Sequence, residues 1–275
     1  DFFASLSREK LDWAKVQVTL VDERWVAETD ERSNARLVKS LLLQHAAGAA
    51  QFLPLYTGDI TPEAGLATAS ARLDALPLPF DAVVLGMGDD GHTASFFPGG
   101  DHLAEALDLD GHARVLPMRA PGAGEPRITL SLPTLLETRA LYLLVAGEKK
   151  RDLLADARLG LGAARDYPVR GVLTQQRGGT GEAGRSRRGA HGKVHHPERP
   201  VARLLDLRDQ PEVLDLRILE DLVELIDGAR RDLRLLEARH PFRRRVGGEH
   251  CLHPRLHFRV MGETLLVRGE ARIAA

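Results

Sequence analysis

The stretch from Asp81 to Gly99 constrains the fold more than any other. Ala82 to Leu85 is an uninterrupted apolar run, which predicts a strand buried on both faces. It empties into Gly86, Gly88 and Gly91, interleaved with Asp89, Asp90 and then His92, and closes at Pro98-Gly99. Glycines at the end of a strand let the backbone approach a ligand closely. A carboxylate two residues from an imidazole supplies a proton acceptor and a group to orient it. Such a strand needs helices over both sheet faces, and it places reactive side chains beyond its carboxyl end.

Gly86-x-Gly88-x-x-Gly91 also matches the dinucleotide fingerprint, with Asp108 and Asp110 about 20 residues on. Three features oppose that reading. A pyrophosphate loop leads into a helix whose N-terminus holds the anion, and Pro98-Gly99-Gly100 leaves little room for one. Asp89 and Asp90 would repel a pyrophosphate. His92 has no place in the motif.

Composition narrows the class further. The 275 residues carry a net charge of -1 and 43% hydrophobic residues, values of a globular chain without a polyanion partner. No apolar run is long enough for a membrane span, and no signal peptide is seen. Cys251 is the single cysteine, which excludes an internal disulfide and fits a reducing cytoplasm. No nucleic acid or membrane partner is expected, and oligomeric state is not legible. The charge is unevenly spread. Residues 1–175 have a net of -6, whereas residues 176–275 have a net of +5 with nineteen Arg, one Lys and no Tyr, Trp or Asn.

The first part alternates strand and helix signals. Strands are expected at Val16–Val21, Ala82–Leu85, Ala113–Pro117, Arg127–Leu130, Ala140–Ala146 and Val169–Leu173. Helices are expected at Arg32–Gln44, from Thr61-Pro62 to about Leu76, as a turn at Pro133–Glu137, and at Glu148–Ala157. Thr61 is a natural N-cap, with Pro62 in the first turn. The pattern predicts an α/β fold: a three-layer α/β/α arrangement around a mostly parallel sheet, Rossmann-like in plan. Residues 176–200, rich in Gly, Arg, Ser and His, read as a disordered linker. From Val201 to Arg239 leucines recur at helical spacing, predicting two or three amphipathic helices. Leu256–Met261 and Thr264–Arg268 fit a hairpin around Gly262.

Charged residues of the first part cluster at strand ends. Asp22, Glu23 and Arg24 follow one strand, Asp89, Asp90 and His92 another, and Lys149 and Lys150 a third; Arg127 starts a fourth. Together they predict a pocket with cations, an imidazole and a few carboxylates, suited to a small phosphorylated substrate. Arg recognises phosphate bidentately and Lys as a point charge. Lys149 and Lys150 open a helix, where cations are poorly placed unless an anion joins them. No His/Cys/Asp spacing matches a structural zinc site. His45, His102 and His112 sit in ordinary polar settings.

At this point the residues resemble a family. Val21-Asp-Glu-Arg-Trp-Val26, Asp30-x-x-Ser-Asn34, Leu85-Gly-Met-Gly-x-Asp-Gly-His-Thr-Ala-Ser-x-Phe-Pro-Gly99, Arg127-Ile-Thr-Leu130 and Gly147-x-x-Lys150 follow the order seen in 6-phosphogluconolactonases. The similarity covers about residues 5–175. Glucosamine-6-phosphate deaminases share the GxGxDGH core but carry Ile-Ala-Phe-Asn-Glu-Pro-Gly after the histidine and Asp-Glu-Tyr where this chain has Asp-Glu-Arg. Both differences favour the lactonase. The resemblance implies hydrolysis of 6-phosphoglucono-1,5-lactone to 6-phosphogluconate in the oxidative pentose phosphate pathway, without metal or organic cofactor. It implies His92 as the base that activates water and Asp90 as its orienting partner. Arg24 would hold substrate, Lys150 and Arg127 would contact phosphate or carbonyl oxygen, and Gly88 and Gly91 would belong to the substrate- and phosphate-binding loop. A deaminase or isomerase activity, and a sugar-phosphate-binding protein without turnover, are the alternatives.

Two departures from the family follow. Its first strand and the Gly-Gly-Ser-Thr-Pro-type loop have no counterpart here, so an open strand flank is expected. Residues 176–275 do not continue the family pattern and have three readings. Abundant Arg, Gly, Leu and Pro with almost no Lys fits out-of-frame translation of GC-rich DNA. The leucine spacing fits an appended domain packed loosely on the rest. A diverged family C-terminus is the third.

Overall fold

A computed structural model describes residues 2–174, 202–207 and 265–269. In chain order the elements are α1 (Phe2–Leu6), β1 (Val16–Thr19), β2 (Asp22–Arg24), α2 (Asn34–Leu41), β3 (Gln51–Leu53), α3 (Pro62–Asp74), β4 (Phe80–Gly86) and α4 (Leu103–Leu107). They continue with β5 (Val115–Met118), β6 (Arg127–Leu130), α5 (Leu132–Leu136), β7 (Thr138–Ala146), α6 (Glu148–Leu159), α7 (Val169–Leu173), β8 (Ala202–Leu207) and β9 (Leu265–Gly269).

The main sheet has the order β3-β1-β9-β4-β7-β8. The β1–β3, β4–β7 and β7–β8 pairs are parallel, and β9 runs antiparallel to both β1 and β4. In β4 every residue from Phe80 to Leu85 is buried, and its register pairs Ala82 with Ala140 and Leu85 with Leu143 of β7. Strands buried on both faces need helices on both, which is the three-layer α/β/α arrangement.

Local signals set the helix starts. Ser33 Oγ accepts a hydrogen bond from Arg36 N at the start of α2 (3.2 Å), and Thr61 Oγ1 accepts from Ala64 N at the start of α3 (3.3 Å). Each oxygen satisfies one of the amides that a helix N-terminus leaves unpaired. Gly160, at φ 68°, closes α6 in the left-handed conformation.

Three expectations are corrected. Val169–Leu173 is the helix α7, not a strand. Pro168 precedes it, and Val169 and Val172, three residues apart, are both buried. Residues 202–207 are a strand rather than the start of a helix, because pairing with β7 overrides the leucine spacing. The expected open flank is occupied: β9 pairs with β1 on one side and β4 on the other. Backbone amides and carbonyls of buried strands require partners, and β9 supplies them. The expected linker at 176–200, the helices beyond residue 207 and the 256–261 half of the hairpin lie outside the described residues.

A second, antiparallel sheet of three strands has the order β2-β6-β5. It lies beyond the expected plan, and it positions much of the site.

Candidate active site

The site starts where β4 ends. Gly88 N donates to His92 O (2.9 Å) and Gly91 N to Gly88 O (3.1 Å), closing residues 88–92 into a tight loop. Thr93 Oγ1 donates to Gly86 O (2.8 Å) and ties the loop to the strand. The next α-helix after the loop begins only at Leu103, so the loop lacks the helix that a dinucleotide site requires.

Two glycines make this geometry possible. A Cβ on Gly88 would lie 2.2 Å from His92 ring atoms, and one on Gly91, at φ 76°, would lie 2.4 Å from the Tyr167 ring. Val169 N also donates to Gly91 O (3.0 Å), so the start of α7 braces the loop from outside.

The loop brings His92 and Asp90 together. Asp90 Oδ1 bonds His92 Nδ1 at 2.5 Å and accepts from His92 N at 3.2 Å. The hydrogen bond with the His92 side chain holds the Asp90 carboxyl below its ordinary value, against the opposing effect of partial burial. With Nδ1 engaged by a carboxylate, the proton belongs on Nδ1, and Nε2 carries the lone pair.

The second sheet supplies the cations. In the β2–β6 register Arg24 is paired with Arg127 and Asp22 with Thr129. Arg127 is buried and donates through Nη2 to Ala123 O (2.7 Å), while its Nε is buried without a hydrogen-bond partner among the described residues. Burial lowers the Arg127 guanidinium from its ordinary value. Asp22 opposes that effect, and Arg24 adds to it. Arg24 donates through Nη1 to Arg32 O, and its Nε is likewise buried without a partner.

A buried carboxylate anchors this strand to α2. Glu23 Oε1 accepts from Arg24 N (2.8 Å) and Asn34 N (2.7 Å), and Oε2 accepts from Ala35 N (2.8 Å) and Ser33 Oγ (3.2 Å). Burial raises the Glu23 pKa despite these donors. Asp22 Oδ2 accepts from Ser95 Oγ at 2.6 Å, joining β2 to the loop that follows β4.

These groups enclose a cavity of about 220 Å³ lined by Asp22, Arg24, Asn34, Gly88, His92 and Arg127, with Phe97 and Gly122 among its other walls. Four of the expected site residues, His92, Arg24, Arg127 and Gly88, therefore converge on it. Asp90 and Gly91 support His92 from outside the lining. Lys150 is not among the lining residues, and its neighbour Lys149 pairs with Asp89 at 2.7 Å. Asp22 was expected only as one of the strand-end charges around the pocket, and Asn34, Phe97 and Gly122 were not singled out as site residues. Asn34 stands in the Asp30-x-x-Ser-Asn34 run, which was the one available signal for it.

The fold and site define an α/β protein in which the Asp90-held His92 imidazole lines a cavity beyond the sheet together with two arginines. The family model described as glucosamine-6-phosphate isomerases/6-phosphogluconolactonase matches residues 1–181, and the chain belongs to that family. It is 51% identical over 172 residues to a 6-phosphogluconolactonase of Rhizobium meliloti, covering 62% of this chain and 74% of the relative. It is 43% identical over 172 residues to that of Pseudomonas aeruginosa, covering 62% and 72%. The crystal structure of a 6-phosphogluconolactonase from Shewanella baltica aligns with a TM-score of 0.59 at 41% identity, over 64% of this chain and 74% of that one.

Proposed function

We propose that this chain hydrolyses 6-phosphoglucono-1,5-lactone to 6-phosphogluconate, the lactonase step of the oxidative pentose phosphate pathway. The observation that carries the mechanism is the 2.5 Å contact between Asp90 Oδ1 and His92 Nδ1 at the wall of a cavity lined by two arginines. It supports an imidazole held through Nδ1 with its Nε2 available to a water molecule.

In this reading Nε2 takes a proton from water as the water oxygen bonds to the lactone carbonyl carbon. The carbonyl oxygen becomes an oxyanion. When it collapses, the bond to the ring oxygen breaks, and the imidazolium returns its proton to that oxygen. The products are a carboxylic acid, ionised at neutral pH, and a hydroxyl group. A lactone is an activated ester, so one positioned base, worth roughly 10²–10⁴-fold, with donors for the developing charge is a sufficient set. Arg24 and Arg127 supply those donors or hold the phosphate. Lys150 is the candidate for a phosphate that extends past the cavity rim, since Lys149 is engaged by Asp89.

We assign the catalytic unit to residues 1–175 and its location to the cytoplasm, a setting that the single cysteine fits. The partner is a small sugar-phosphate lactone. The test is the rate of 6-phosphogluconolactone hydrolysis, corrected for spontaneous opening, in the chain and in His92→Ala. Loss of most activity in a folded His92→Ala supports the assignment. Near-wild-type turnover there would remove His92 as the base.

A further inference from the structure

Phe97 contacts both His92 and Arg127, the two groups on which the proposed reaction turns. Its ring stacks on the His92 imidazole with centroids 4.3 Å apart and planes inclined by 30°. The guanidinium carbon of Arg127 lies 5.3 Å from the centroid of the same ring. Phe97 is 3% exposed and lines the cavity. Its backbone is pinned, because its N donates to Ser95 O and its O accepts from Gly100 N, both at 3.0 Å.

The electron-rich face of an aromatic ring attracts a cation. Arg127 is a cation throughout, whereas His92 becomes one only as it accepts the proton from water. The attraction between Phe97 and His92 therefore grows as the reaction proceeds, and an interaction stronger in the transition state than in the ground state raises kcat. Asp90 fixes the imidazole through Nδ1 alone, which leaves the ring able to tip about that contact. Flat contact with Phe97 removes this freedom and keeps Nε2 aimed.

We propose that Phe97 is a positioning residue for lactone hydrolysis: its ring holds the plane of the His92 imidazole and stabilises the imidazolium. This rests on the reading of His92 as the base.

The test compares Phe97→Leu and Phe97→Met, which keep apolar bulk without a π face, with Phe97→Tyr, which keeps the face. Both aliphatic variants should lose kcat by roughly 5–30-fold with KM changed by less than about threefold. Phe97→Tyr should return kcat to within about threefold of wild type. A second readout needs no turnover. The His92 ring C–H resonance, identified by its loss in His92→Ala, should move downfield in the aliphatic variants as the ring current of Phe97 disappears. Unchanged kcat in a folded aliphatic variant, or an unmoved His92 resonance, overturns the positioning role and leaves the lactonase reading intact. No turnover by the wild-type chain overturns that reading and this proposal together.

Discussion

Arg24 and Arg127 are cross-strand partners: the β2–β6 register sets one directly opposite the other. Like charges at opposed positions disfavour a sheet. Here both side chains also reach the same cavity, and each has a buried Nε without a hydrogen-bond partner among the described residues. An anion bound between them would relieve the repulsion and satisfy the donors.

The first prediction follows from that pair. Arg24→Gln and Arg127→Gln should each lower kcat/KM for the phosphorylated lactone by about 10–150-fold, since a charged hydrogen bond contributes about 1.5–3 kcal/mol. An unphosphorylated lactone should lose less. Lys150→Ala should have a smaller effect than either, because Lys150 is outside the cavity lining. An unchanged preference between phosphorylated and unphosphorylated lactones in all three variants would move the anion site elsewhere. Inorganic phosphate should also raise the melting temperature of the wild-type chain more than that of Arg127→Gln.

Gly88 makes the second. An added methyl group would lie 2.2 Å from the His92 ring, with Asp90 Oδ1 at 2.8 Å. The imidazole must therefore shift or the loop must open. Gly88→Ala should lose about 10²-fold or more in kcat, the scale of a misplacement by about 1 Å. Steady-state kinetics on a variant with an unaltered melting curve is the check. Wild-type kcat would mean that the His92 geometry described here is not the working one.

Glu23 makes the third. Its two oxygens accept four hydrogen bonds, one from Arg24 N within β2 and three from Ser33, Asn34 and Ala35 that join β2 to the start of α2. In Glu23→Gln one oxygen is replaced by an NH2 group, which must face donors. The expected cost is about 1–3 kcal/mol for buried groups left unpaired. Denaturant unfolding should record it as a lower midpoint with an unchanged slope. KM should rise as well, because Arg24 and Asn34 flank the cavity. A variant with the wild-type midpoint would show that the cap is dispensable.

Much of this site is legible along the chain, and the remainder depends on contacts that no local pattern encodes. The β4 run is long, apolar and bounded by glycines, so its identity and the loop after it can be read directly. Thr61-Pro62 and Gly147 to Gly160 mark α3 and α6 by capping chemistry. Val169–Leu173 misleads because five apolar-rich residues fit strand and helix periods equally well. The three residues of β2 are too short for any alternation. Their pairing with β6, more than 100 residues on, decides that Arg24 meets Arg127. Phe97 reads as the end of a loop; only the turn between Thr93 and Phe96, which form an isolated bridge, folds it back over His92. β8 follows the same logic, since pairing with β7 selects it against its own leucine spacing; β9 falls where a strand was expected, but its place between β1 and β4 is not encoded locally.

The last prediction concerns acid stability. Glu63 hydrogen-bonds Arg119 through both oxygens, and this pairing pulls its pKa down to about 2. In the unfolded chain the same carboxyl titrates near its ordinary value of about 4.3. A carboxyl depressed by folding adds stability that is fully present above the unfolded value and is lost as pH falls through the folded one. Both side chains are largely solvated, so the contribution is at most about 1 kcal/mol. Glu63→Gln should therefore be slightly less stable than wild type at pH 6. The difference should shrink as pH falls from about 4.5 to 2, and vanish below that. Denaturant unfolding of the two proteins at matched ionic strength across this range is the measurement. High salt should reduce the gap at pH 6, because screening weakens an exposed pair. A gap that is constant from pH 6 to 2 would mean that the substitution acts through packing on α3 rather than through the Arg119 ion pair.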